Sequence, residues 1–169
     1  LFVKGGGDPS FSFGDLTTLI ERLKQLGVDK IQGDLVLDSS FYAVSGSPPG
    51  FDDKLQDGSF RPPISGLNLN WNHIVITVSD VGNKQPHISV FPPSPYLKIK
   101  NEVRVRKKVK KHVRIQQRYG KNNQILRITG ELRSNRTISV RRRIHHPLKF
   151  FGETMRAQLK KNGIEFNGK

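Results

Sequence analysis

The hexapeptide Leu23-Lys24-Gln25-Leu26-Gly27-Val28 has a near copy at the other end of the chain, Leu159-Lys160-Lys161-Asn162-Gly163-Ile164. Each predicts the last turn of a helix, a glycine that takes the left-handed stop, and a β-branched residue that enters a strand. Ahead of the first copy, Leu16, Leu19, Ile20, Leu23 and Leu26 recur at helical spacing on one face, and Ser12 with Asp15 three residues later has the form of a capping box. Ahead of the second, Pro147 suits a first helical turn, and Leu148, Phe151, Met155 and Leu159 share a face. Residues 31–37 are expected as a strand apolar on both faces, the mark of a covered, partly parallel sheet. Each helix must cover a sheet face, so the two ends are expected to build one α/β layer together. What lies between them is then an insertion.

That insertion reads as β. Short runs rich in Val and Ile at 67–70, 73–78, 87–90, 96–99, 103–115, 124–129 and 137–144 are separated by Asn, Gly, Pro and Ser turns, which predicts a small antiparallel sandwich or barrel. Residues 39–63, rich in Ser, Gly, Pro and Asp, are too many for a mere connection and are a candidate functional loop.

With 169 residues, 34% apolar and 25% charged, the chain can bury a real core and is not of disordered composition. No apolar run approaches the roughly 18–20 residues that span a bilayer, so no transmembrane segment is expected. The start at Leu1-Phe2-Val3-Lys4, without a Met, reads as an excerpt from a longer protein. The lack of Cys removes disulfides, thiol nucleophiles and thiolate metal sites together.

Net charge is +15, and residues 96–143 carry all of it: 17 Lys or Arg stand there against Glu102 and Glu131. Within this segment Val103, Val105, Val109, Val113 and Ile115 alternate with Arg104, Arg106, Lys108, Lys110, His112 and Arg114. On a strand, that pattern sets a cationic stripe opposite an apolar face. Two readings stand beside each other: a solvated strand face, or a track for a polyanion through Arg104, Arg106, Lys108, Lys110 and Arg114. A reader of single-stranded nucleic acid would interleave aromatic platforms, and only Tyr96 and Tyr119 lie in the segment, so no specific nucleic-acid partner is expected.

The remaining motifs carry less. Gly5-Gly6-Gly7-Asp8-Pro9 lacks the spacing and the Lys-Ser/Thr ending of a phosphate loop and predicts a tight turn. His145-His146 has no third ligand at useful spacing, so neither a metal nor another cofactor is expected. Asn135-Arg136-Thr137 fits the glycan acceptor pattern, which is common by chance. No Ser is followed by Lys at the third place, and neither Gly-x-Ser-x-Gly nor Lys-Thr-Gly occurs, so no catalytic residue is assigned.

Six landmarks in order resemble one family: Leu1 to Pro9, Gly33 to Asp38, Pro49-Gly50-Phe51-Asp52-Asp53, Ser65-Gly66-Leu67-Asn68-Leu69-Asn70, the run from Gln124 to Leu132, and His146-Pro147 through to Gly168. The chain is similar, over nearly its whole length, to the class C low-molecular-mass penicillin-binding proteins, which are D-alanyl-D-alanine carboxypeptidases and endopeptidases. The resemblance implies an accessory insert that interrupts a catalytic domain between its Ser-x-x-Lys and Ser-x-Asn motifs, both outside this chain. It implies an α+β fold: a Rossmann-like α/β domain formed by residues 1–66 and 144–169, interrupted by a small all-β domain at 67–143.

In that family a loop of the α/β domain reaches the catalytic cleft, where a Trp, an acid and a Tyr hold the peptide side chain of the substrate. By motif these positions fall on Phe51, on Asp52 or Asp53, and on Phe60. Phe51 lacks the indole donor and Phe60 the hydroxyl, so apolar contact remains while polar recognition is weakened; the other reading is that both Phe rings merely pin the loop. The partners implied are the catalytic domain of the parent chain, a peptidoglycan stem peptide, and an anionic envelope polymer at the basic face, in a periplasmic or extracytoplasmic setting. The rival readings are a polyanion- or nucleic-acid-binding β module and a pure spacer.

Overall fold

The computed structural model describes residues 1–42 and 59–168. Strand β1 (Phe2–Lys4) leads into helix α1 (Phe13–Gln25), and short strands β2 (Lys30–Ile31) and β3 (Val36–Asp38) follow. At the far end helix α2 (Pro147–Lys161) leads into β10 (Glu165–Phe166). The ends do meet: β10 pairs in parallel with β2, and β1 in parallel with β3. Lys24 on α1 donates to the carbonyl of Gly163 at 3.2 Å and pairs with Asp29, tying the end of α1 to the stop of α2.

Both helices end as the sequence dictates. The Ser12 hydroxyl accepts from the Asp15 amide at 3.1 Å, while the Asp15 carboxylate accepts from the Ser12 amide at 2.8 Å, completing the capping box. Gly27 and Gly163 take φ of 82° and 73°. Leu16 and Ile20 of the expected face are fully buried, but Leu19 is exposed and Leu26 is 80% exposed, so the covered stripe is narrower than the leucines suggest.

Three expectations are corrected. Residues 31–37 are not one strand: Gly33, at φ 88°, turns the chain between β2 and β3, which belong to different pairs. The parallel strands accordingly form two separate two-stranded pairs and not one continuous Rossmann-like sheet. Nor do residues 67–70 form a strand; they lead into a short 3-10 turn, Asn70–Asn72.

The middle of the chain forms two three-stranded sheets. Strand β4 (His73–Ser79) lies between β5 (His87–Phe91) and β9 (Thr137–Arg143), antiparallel to both. In the other sheet β8 (Gln124–Arg133) lies between β6 (Leu97–Arg106) and β7 (Arg114–Tyr119). The expected all-antiparallel arrangement fails here, because β6 runs parallel to β8. The cause is the connection: β6 and β7 are not neighbours, and residues 107–113 step over the end of β8, which slots between them. The Glu131 amide donates to the carbonyl of Lys111 at 2.8 Å, and a Cβ on Gly130 would lie 2.4 Å from the carbonyl oxygen of His112, so the crossing is tight.

One buried cluster joins the helices to both sheets, running from Leu16, Ile20 and Phe151 to Ile76, Leu126 and Ile128. Tyr96 and Phe150 meet edge to face at that junction, with ring centroids 6.2 Å apart. Burial pushes the Tyr96 phenol up to about 12, and its hydroxyl has no hydrogen-bond partner among the described residues. A buried hydroxyl without a partner costs about 1 kcal/mol or more. Tyr96→Phe is therefore expected to raise stability by about 1 kcal/mol, which a chain of this size reads as roughly 2–4 °C in a thermal melt. An unchanged or lowered Tm would show the hydroxyl to be satisfied.

Candidate functional site

Two features bear on function: the base of the long loop, and the outer face of the sheet β6–β8–β7. The loop leaves the α/β layer after β3 and returns at Gly66. Its two ends touch, since a Cβ on Gly66 would lie 2.8 Å from the backbone oxygen of Ser39. The Gly5–Gly7 segment braces both ends: the Gly5 amide donates to the Asp38 carbonyl at 2.9 Å and the Gly7 amide to the Gly66 carbonyl at 2.8 Å. The glycine run is thus a strut and not the tight turn expected, which falls at Pro9 and Ser10, and it fits because Gly5 and Gly7 lack side chains. On the entry side the Ser40 amide and hydroxyl bind the Asp38 carboxylate and hold its pKa below the usual range.

On the exit side lies a strained turn. Asn70, Trp71 and Asn72 take φ of 51°, 57° and 52°, three successive non-glycine residues in the left-handed region, at a cost of roughly 1–2 kcal/mol each. Such strain persists only where the surroundings over-determine it. Here the Asn70 amide donates to the carbonyl of Phe11 and the Trp71 amide to that of Pro9, while the Asn70 side-chain oxygen accepts from the Phe13 amide at 2.6 Å. The Asn72 side chain accepts from the Leu69 amide and donates to the Pro63 carbonyl at 3.0 Å and to the Asn68 side-chain oxygen at 2.6 Å. The turn leaves the Trp71 ring 56% exposed. Reasoning from sequence missed it; the Asn at alternate places in Asn68-Leu69-Asn70-Trp71-Asn72 was the available signal, because Asn tolerates the left-handed region best among non-glycine residues.

Of the residues expected to face substrate, Phe51, Asp52 and Asp53 lie outside the described residues. Phe60 is described and is 55% exposed, on the return limb of the loop.

The basic segment is built differently from the stripe expected on one strand. Arg104 and Arg106 stand on β6, Lys108 and Lys110 in the crossing at 107–113, and Arg114 at the start of β7. The expected strand 103–115 breaks at Arg106 because the Glu131 carboxylate captures the amides of Lys110 and Lys111, at 2.6 and 3.3 Å, and so turns the chain. Those contacts, the Lys110 amide first, hold the Glu131 pKa below its ordinary value. Strict alternation in exposure is lost in the crossing, where Val109 and Val113 are half-buried but Lys107 and Lys111 of the same phase are exposed with the other lysines.

Cross-strand register then gathers cations that the sequence keeps apart. Arg104 lies opposite Glu131, Arg106 opposite Arg133, and Lys100 opposite Arg127. On the other side of β8, Arg114 and Arg118 share the same outward phase. All of these basic side chains are exposed, as is Lys98. Among the described residues, the acids on this face, Glu102 and Glu131, are already engaged. Glu102 takes a bidentate pair from Arg127, with contacts from 2.8 to 3.1 Å, which lowers its pKa, and Glu131 holds the crossing and lies 4.0 Å from Arg106.

Catalytic or metal chemistry has little to work with among the described residues. The serine hydroxyls with hydrogen bonds meet Asp8, Asp15, Asp38, the amides of Leu67 and Tyr96, or the hydroxyls of Thr77 and Thr137, and none of them meets a Lys or His. His145 stacks on Tyr119 at 4.0 Å and meets His146 edge-on at 4.7 Å, and no group of three His, Asp or Glu is arranged around a cation. Burial lowers the pKa of both histidines. No helix is long and apolar enough to cross a membrane among these residues.

A family model described as D-Ala-D-Ala carboxypeptidase 3 (S13) matches residues 1–169. The chain is 25% identical over 171 residues to the D-alanyl-D-alanine carboxypeptidase DacB of Haemophilus influenzae, covering 100% of this chain and 36% of that protein. Among solved structures it is similar to penicillin binding protein 4 (dacB) from Haemophilus influenzae, with a TM-score of 0.74 and 24% identity over 99% of this chain and 38% of that one. A second structure of that protein, complexed with a β-lactam, matches with a TM-score of 0.63 and 24% identity, over 99% of this chain and 35% of that one.

Proposed function

Since the chain belongs to the D-Ala-D-Ala carboxypeptidase 3 (S13) family, we propose that it is the non-catalytic accessory region of a serine D-alanyl-D-alanine carboxypeptidase or endopeptidase. The carrying observation is the pairing of a whole-chain family match with serine hydroxyls that meet no Lys or His among the described residues. The chain spans 36% of the length of the curated relative, which leaves room for a catalytic domain elsewhere in a parent protein. That domain would acylate its serine with the penultimate D-Ala, release the terminal D-Ala, and return the acyl-enzyme to free enzyme with water.

The accessory region divides into a discontinuous α/β domain, residues 1–66 and 144–169, and an inserted β domain, residues 67–143. Support for this division comes from strand pairing: among the described residues, β1, β2, β3 and β10 pair only with one another, and β4 to β9 only with one another. The long loop shapes the substrate cleft. Asp52 or Asp53 attracts an ammonium group on the stem peptide, and Phe51 and Phe60 supply apolar contact. The touching loop ends braced by Gly5–Gly7 support this role, because a braced loop presents its tip with less ordering entropy to lose on binding. The setting is periplasmic or extracytoplasmic.

The isolated chain and a full-length parent, each mixed with a β-lactam and analysed by intact mass, should differ completely: one adduct per parent molecule and none on the chain. A pentapeptide ending in D-Ala-D-Ala should likewise lose D-Ala only to the parent. Stoichiometric acylation of the isolated chain would overturn the reading.

A further inference from the structure

We propose that the outer face of the sheet β6–β8–β7 binds a flexible, base-free polymer whose charge lies on phosphodiester links of its backbone. The cell envelope as the source of such a polymer rests on the peptidase reading; the binding chemistry does not. The carrying observation is uncompensated charge on a fixed plane. Glu102 is committed to Arg127 and Glu131 to the crossing of residues 107–113; Lys100 adds only a charge contact to Glu102, and Lys98, Arg104, Arg114, Arg118 and Arg133 have no ion pair with an acid among the described residues. Cations that lack partners, as these do apart from Lys100 beside Glu102, raise the local potential and attract a polyanion from solution.

Geometry selects among anions. Alternate residues on a strand stand roughly 6.8 Å apart and neighbouring strands about 4.8 Å, so the face is a grid of cations and not one pocket for a single phosphate. Four of the five without an acid are arginines, whose planar fork grips two oxygens of one phosphate. Single-stranded nucleic acid gains much of its affinity from bases stacked on aromatic rings. No aromatic residue shares the outward phase of these three strands, so bases would add nothing. An anionic membrane is disfavoured for a related reason. Interfacial binding wants a Trp, Phe or Leu to enter the acyl boundary, and the apolar residue on this face is the half-buried Ile125.

The test uses fluorescence anisotropy of the chain with labelled poly(glycerol phosphate), an oligodeoxythymidylate of equal charge, and vesicles of phosphatidylglycerol and phosphatidylcholine, across a salt series. Arg104→Gln, Arg114→Gln and Arg118→Gln combined should weaken polymer binding by about tenfold or more at low salt. It should also flatten the log–log salt slope by about 2, from roughly 0.7 per lost contact. A control that removes the same charge from the helices, Arg22→Gln with Lys160→Gln and Lys161→Gln, should leave both nearly unchanged; each variant is checked for a cooperative thermal transition. Equal loss in the control would reduce the effect to net charge and overturn the proposal. So would absent polymer binding, tighter binding of the oligonucleotide, or preference for the vesicles. None of these results touches the peptidase reading, which the acylation comparison decides separately.

Discussion

Gly5→Ala should cost about 3 kcal/mol or more, at the top of the range for overpacking, and lower Tm by roughly 6–12 °C. An added Cβ would lie 2.1 Å from the carbonyl oxygen of Gly66 and 2.7 Å from the amide nitrogen of Leu67. Both atoms are backbone, so no side-chain rotamer can relieve the clash. The strut between the two loop ends would have to part, taking with it the Gly5 to Asp38 and Gly7 to Gly66 hydrogen bonds. The neighbouring Gly6 is the internal control, since a Cβ there meets nothing within 4 Å. Gly6→Ala should be neutral or slightly stabilising, because it only restricts the unfolded chain. Thermal or urea unfolding of the two variants side by side measures the difference. Equal effects would mean that the strut is not as close as described. In a full-length parent, the Gly5 variant should also raise KM for the stem peptide if the loop reaches the cleft.

How far the fold was legible follows from which interactions are local. The capping box at Ser12 and Asp15, the stops at Gly27 and Gly163, and Pro147 at a first helical turn act within a few residues, so sequence periodicity finds them. Gly33 was in plain view inside 31–37, yet its left-handed φ splits the expected strand because β2 and β3 have different partners at opposite ends of the chain. The break after Arg106 was partly hidden for the same reason. Val109 and Val113 keep the odd phase of Val103 and Val105, Lys107 and Lys111 at the odd places between them were the local sign of a break, and the carboxylate that turns the chain is Glu131, about 20 residues further on. Parallel and antiparallel neighbours also share a two-residue period, so the parallel run of β6 and β8 leaves no mark in the pattern.

The candidate site shows the same division. Arg104, Arg106 and Arg114 were found from their spacing, whereas Arg118, Arg127 and Arg133 joined them only through strand register. Charge counting located the segment, but it could not say which acids were already engaged. That distinction separates a solvated stripe from an uncompensated plane. Phe51, Asp52 and Asp53 came from the family resemblance and lie outside the described residues, so their role stays with the proposal above.

Asn72→Ala should cost about 3 kcal/mol, for two reasons that add. The side chain is buried, and its removal leaves the Leu69 amide, the Pro63 carbonyl and the Asn68 side-chain oxygen without their partner. A buried polar group stripped of its partner costs roughly 1–3 kcal/mol, and the shared space left behind admits at most partial repair by water. Alanine must also hold φ near 52°, where asparagine is better tolerated, which adds roughly 1 kcal/mol. Asn72→Asp separates the two terms. It keeps the acceptor for the Leu69 amide and an acid that tolerates the left-handed region, but it loses both donors and sets a carboxylate against the Pro63 carbonyl, so at neutral pH it should be at least as damaging. Protonating that carboxylate restores one donor. Its buried site should raise its pKa, so the deficit of Asn72→Asp should shrink as pH falls while that of Asn72→Ala should not. Urea unfolding of both variants at neutral and mildly acidic pH reads the difference. Parallel pH profiles would show that backbone strain, and not the side-chain bonds to Pro63 and Asn68, is what Asn72 supplies.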